Sequence, residues 1–227
     1  MTNFLDARRP AIVALGAWNA QILTDGNWLA RYVLELEEGA EVEAQLVGVG
    51  NDQGIQKQVL VLDDFGIACD RGRLEIFETE RSADGRIEEV LEKICDLLPH
   101  TPVSAVGVNR DFFMEEEVAG FLGLIETEEL FDDFGEAKSY HRVDTLKVSE
   151  NHRLNFNSDT GAECQIKIDR RTDFTSANVN MNFHQDLSGL DELSAWCKIS
   201  PVSHWSDVAW KIMEDVYDVE KSEVKYF

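Results

Sequence analysis

The chain has 227 residues, with 44 acidic and 21 basic side chains and a formal net charge of −23. Hydrophobic residues make up 44% and aromatic residues 9%, enough apolar material for a core, which excludes a wholly disordered acidic tail. The charge excludes non-specific binding to DNA, RNA or anionic lipid, because that binding needs Lys and Arg to displace counterions.

The opening MTNFLDARRP has no apolar run of signal-peptide length behind its arginines. No stretch reaches the roughly 18 apolar residues of a spanning helix. A cytoplasmic location without membrane contact is the expectation. Residues 10–24 start as a buried strand, Asp25-Gly26 turns the chain, and 27–32 reads as a short helix. Over 41–48, Val42, Ala44 and Leu46 alternate with Glu41, Glu43 and Gln45, the period of a half-buried strand. Gly48, Gly50, Asn51, Asp52 and Gly54 form a turn cluster before a strand at 58–62. A further strand spans 67–77, with Leu74 and Ile76 facing one way. Ser82-Ala83-Asp84-Gly85 then introduces a helix over 86–98, on which Ile87, Val90, Leu91, Ile94, Leu97 and Leu98 make one stripe. Pro99 and Pro102 end it, and 103–113 reads as a strand.

Residues 114–136 form a bridge rich in acids without one base, with Val118, Phe121, Leu122 and Ile125 at helical spacing. Strands are expected near 138–148, 152–157, 163–169 and 174–184, with turns at Asn151, at 158–161 and at 170–173. Two helices close the chain. The last carries Trp205, Val208, Ala209, Ile212, Met213 and Val216 on one stripe, and Ser203 is the expected N-cap. This order predicts an α+β fold of two mostly antiparallel sheet-plus-helix lobes, the second a β-meander closed by C-terminal helices. The boundaries read as 1–113, an acidic bridge 114–136, and 137–227.

The chemical motifs are thin. Residues 47–54 match neither G-x-G-x-x-G nor the P-loop, and a strand follows them where a phosphate site needs a helix N-terminus. Asp159 with Gln165-Ile166-Lys167 meets a metal-dependent nuclease pattern loosely, with Glu163 and Asp169 as further acids, but the acidic balance opposes a nucleic-acid substrate. The histidines His100, His141, His152, His184 and His204 form no H-E-x-x-H and no pair at ligand spacing. There is no G-x-S-x-G elbow. Cys69, Cys95, Cys164 and Cys197 are far apart without C-x-x-C, as buried thiols of a reducing compartment are. No catalytic residue, metal or cofactor is expected. The alternative is an enzyme whose site gathers His141, His152, His184 or Cys164 on the second sheet, with Cys164 and His184 as nucleophile and base.

The strand 174–184 is more informative. Ala177, Val179, Met181 and Phe183 should face a core, while Ser176, Asn178, Asn180, Asn182 and His184 share the other face. Carboxamides hydrogen-bond without the desolvation cost of charges, so this face suits docking of another protein or a second copy. Trp210 lies off the apolar stripe of the last helix and reads as an interface anchor. Glu115, Glu116, Glu117, Asp132 and Asp133 in the bridge read as a docking surface for a basic partner. The run Val103-Ser104-Ala105-Val106-Gly107-Val108-Asn109, with Asn180-Met181-Asn182-Phe183-His184 later, resembles a sporadically distributed family of uncharacterised bacterial proteins of similar length. These carry a V-x-A-[IV]-G-[IV]-N strand and an N-x-N-F-H strand. The resemblance covers the two strands and the element order, carries over no site, and implies that Gly107 and Asn109 serve the fold.

The expected role is therefore a non-catalytic protein-binding or assembly subunit, acting through an acidic surface and a neutral Asn-rich face. Its partner is a protein, basic in character or a second copy of the chain, with no direct nucleic-acid contact. An acidic nucleic-acid mimic that occupies a DNA- or RNA-binding protein is a further alternative.

Overall fold

The computed structural model describes residues 5–7, 9–37, 45–50, 56–70, 72–80, 82–115, 136–143, 147–155, 162–171, 176–199, 201–217 and 224–226. In chain order the elements are β1 (Leu5–Ala7), β2 (Ala11–Gly16), α1 (Ala20–Leu23), α2 (Gly26–Trp28) running into a π-helical turn (Leu29–Val33), β3 (Gln45–Gly50), β4 (Gln56–Val61), β5 (Phe65–Cys69) and β6 (Arg73–Glu78). They continue with α3 (Arg86–Leu97), β7 (Val103–Glu115), β8 (Glu136–Val143), β9 (Lys147–Asn155), β10 (Glu163–Arg171) and β11 (Ser176–Asp186). The last are α4 (Leu190–Cys197), α5 (Pro201–Tyr217) and β12 (Val224–Tyr226). The fold is α+β with mostly antiparallel pairing. No described helix is long and apolar enough to cross a membrane.

The chain divides into two units. One comprises Ala11–Gly107 with Asp186–Ser203; the other comprises Met1–Pro10, Val108–Gln185 and His204–Phe227. The division falls within β7, between Gly107 and Val108. Residues 186–203 belong with the first unit because Leu187 N–H donates to the Ser104 carbonyl (2.8 Å) and α4 packs on α3.

In the first unit the strand order is β3-β4-β5-β6-β2, followed by the start of β7. The expected strand at 67–77 is instead the hairpin β5–β6. Asp70 Oδ1 accepts from Gly72 N–H (2.9 Å), and Asp70 N–H donates to the Arg73 carbonyl (3.0 Å). This Asx-type reversal leaves the alternation of apolar residues intact on both sides, so period alone does not reveal it. Leu74 and Ile76 are buried as expected, and all of β5 is buried. After β2, Asn19 caps α1 and Asp25 caps α2, each accepting from two backbone N–H groups. Gly85 precedes α3 at φ +79°, a left-handed conformation that favours glycine. Ile87, Val90, Leu91 and Ile94 of α3 are buried; Leu97, expected on the stripe, is exposed, and Cys95 is buried instead.

In the second unit the order is β7-β11-β10-β9-β8, with β11 to β8 forming an antiparallel meander. β1 pairs antiparallel with β7 and parallel with β12. Asn151 lies mid-strand in β9, level with Tyr140 and Lys167, and not in a turn. It is exposed there, where an amide stays hydrated at no cost. One sheet face carries Leu154, Cys164, Ile166, Ile168, Ala177, Val179, Met181 and Phe183, and α5 covers it with Ala209, Trp210, Ile212 and Met213. The helix starts at Pro201, so exposed Ser203 sits in its first turn and is not the cap.

Candidate functional site

The alternation of β11 builds the candidate face. Its apolar set enters the core under α5, and Asn178, Asn180, Asn182 and His184 stand on the opposite side. Asn178 is exposed, and the other three are half-buried. Register places Asn178 level with Asp169, Asn180 with Lys167, Asn182 with Gln165 and His184 with Glu163 of β10. On the β7 side Asn182 Nδ2 donates to Asn109 Oδ1, and Asn180 Nδ2 donates to Asp111 Oδ1. The two amides thus form a lateral ladder between β11 and β7.

Four charges on this face, those of Lys167, Asp169, Arg153 and Glu163, pair with one another. Lys167 Nζ lies 2.8 Å from Asp169 Oδ2, and Ser149 Oγ donates to Asp169 Oδ1 (2.6 Å). Arg153 Nε donates to Glu163 Oε2 (2.7 Å), its Nη2 bonds the same oxygen, and His184 Nε2 approaches that oxygen at 3.6 Å. His184 Nδ1 is buried without a hydrogen-bond partner among the described residues. Glu163 and Asp169, candidate metal ligands in the sequence, are thus engaged by Arg153 and Lys167. Among the described residues no three His, Cys, Asp or Glu side chains gather as metal ligands. Asp159 of the nuclease pattern lies outside the described residues.

The proposed Cys164–His184 pair does not form. Cys164 is level with Phe183 and Leu154 and is fully buried in the core, whereas His184 is on the polar face beside Glu163. Adjacent register positions send side chains to opposite sides of a sheet. His152 is level with Ile166 and His141 with Glu150. Burial pushes the Cys164 thiol well above its ordinary range. Burial, helped by a neighbouring acid, also raises the Cys69 and Cys95 thiols to about 12. Cys197 is raised by burial first and by Cys95 second. A thiolate is the reactive species, so no thiol of the native protein should react with Ellman's reagent at neutral pH. All four should titrate after unfolding; rapid labelling of any one in the native state would contradict this burial.

Trp210 is not an exposed anchor. It is 3% exposed and meets Phe112 edge-on, with ring centroids 4.9 Å apart at 76°. The buried stripe of α5 is wider than expected, because Ala209-Trp210 and Ile212-Met213 repeat at i, i+3 and face a sheet broad enough to receive them. Glu115 is the last residue of β7, and Glu116, Glu117, Asp132 and Asp133 lie outside the described residues.

Arg153, Asn109 and Asp111 are the members of the face that motif reading overlooks. For Asn109 and Asp111 the signal is alternation in β7, where they interleave with Val108, Arg110 and Phe112, all three of which are buried. Arg110 is 2% exposed, and its guanidinium lies over the Phe112 ring at 5.6 Å. No protein-family model matches the chain, and no curated protein matches its sequence.

Proposed function

We propose that the protein is a non-catalytic protein-binding or assembly subunit whose polar face packs on another chain. The supporting observation is the lateral closure of that face. Its amides bond along the sheet, and Glu163, Asp169, Arg153 and Lys167 are engaged with one another. Such a surface can be covered without burying an unpaired charge. In a chain of net charge −23 it is also where a second copy approaches at least electrostatic cost. A second copy is therefore the occupant we assign, and the acidic remainder would draw a basic partner.

Light scattering after size exclusion, at low and high salt and over a wide concentration range, tests this. The expected result is a dimer that persists in high salt and is lost in Asn178→Glu/Gln165→Glu. Both positions are exposed, so the variant should keep the wild-type circular dichroism. A wild-type monomer at every concentration and both salts would overturn the assignment.

A further inference from the structure

In the first unit, Glu88 is the one acidic side chain among the described residues that is buried, at 5% exposure. It lies in the first turn of α3, where its carboxylate accepts from its own backbone N–H. Its Oε1 also accepts from Val202 N–H at 3.1 Å, in the first turn of α5 and 114 positions away in sequence. Val202 and Pro201 are themselves buried. Oε2 is buried without a hydrogen-bond partner among the described residues. One carboxyl group thus serves the starts of two helices, in the place where Ser203 would be expected to act.

We infer that Glu88 is a proton-controlled latch on the start of α5, closed while its carboxyl is neutral and loosened when it ionises. Two backbone N–H groups favour the anion, but burial opposes it and is the largest influence, so the carboxyl is held above the ordinary glutamate range. The described charged groups acting on it, Glu89 and Asp84, add to that opposition. Glu89 on the same helix and Asp84 in the preceding turn repel a negative charge. From α4, Cys197 faces it, a thiol that Glu88 itself helps to raise and that supplies no cation. Lys198, at the end of α4, is bound to Glu92 (3.4 Å). From α5, among the described residues, the Val202 N–H reaches it.

The sign follows from linkage. A carboxyl whose closed-state pKa exceeds its open-state value binds its proton more tightly when closed. The latch is therefore firm below the ordinary glutamate range and weakens as pH rises toward the closed-state value. Across that window the opening constant grows with pH, by at most about tenfold per pH unit, the limit set by release of one proton.

Amide exchange by NMR on the whole chain, read at Val202 and corrected for the intrinsic pH dependence, tests the latch. In wild type the corrected rate should climb with pH through the window, by at most about tenfold per pH unit, and level off on either side. Glu88→Gln keeps an acceptor and cannot ionise, so its corrected rate should be flat. Glu88→Ala should exchange fast at every pH. A flat wild-type profile, or the same slope in Glu88→Gln, would overturn the inference. Should Glu88→Gln fail to fold, a carbon-13 titration of the Glu88 carboxyl in wild type decides instead. A midpoint above that of free glutamate supports the latch, and one at or below it overturns it.

Discussion

Trp210→Ala should destabilise the second unit by about 3–5 kcal/mol, the cost of truncating a large aromatic in a packed core. The ring is 3% exposed, meets Phe112 of β7, and belongs to the same buried core as Ile212 and Met213 of its own helix. Removing it leaves a void that the sheet cannot close, since strands held by ladder hydrogen bonds relax only partly. Part of the loss belongs to the edge-on contact with Phe112. A double-mutant cycle with Phe112→Leu should return a coupling of about 0.5–1.5 kcal/mol. Trp210→Phe should recover much of the stability. Denaturant unfolding followed by circular dichroism measures all three. If Trp210→Ala left the midpoint unchanged and instead abolished self-association, Trp210 would be an interface residue after all.

Gly16→Ala should cost the first unit about 1–3 kcal/mol through overpacking. A Cβ there would lie 2.4 Å from the Pro102 carbonyl oxygen and 3.2 Å from both Trp18 Nε1 and Val103 Cα. Two of these three are backbone atoms, so no rotamer change relieves the clash. The backbone around it is pinned as well: Gly16 N–H donates to the Gly72 carbonyl (3.1 Å), and Ala17 N–H donates to the Pro102 carbonyl (2.9 Å). Gly72→Ala is the control, since its Cβ would meet only Asp70 Oδ1, at 3.9 Å. The expected thermal midpoints are a clear drop for Gly16→Ala and a small change for Gly72→Ala. Equal midpoints would show that β2 can move away from Pro102.

Much of the secondary structure was legible because periodicity is a local property. The helix at 86–97 follows from its apolar spacing, and the strand at 176–186 follows from its alternation. The errors occur where two arrangements share a period. The β5–β6 hairpin continues the alternation of a single strand across Asp70 and Gly72, and Asn151 is as compatible with an exposed strand position as with a turn. The candidate face was half legible. Its β11 residues were visible as a row of amides, and alternation sets Asn109 apart from the buried residues of β7, but neither Asn109 nor Arg153 carries a local mark of which strand lies beside it.

By itself, then, the sequence determined the α+β class and the two-sided character of β11, both of which depend on short-range period. The tertiary structure decided which groups meet. Asn182 finds Asn109 73 positions away. Glu88 finds Val202 114 positions away and replaces Ser203 as the partner of the α5 start. Cys164 and His184 are parted by the pleat of the sheet, and Trp210 is drawn inside because β7 places Phe112 against it. Each outcome depends on the partner that strand register and helix packing bring opposite a residue, and that partner lies far along the chain, beyond the reach of local pattern.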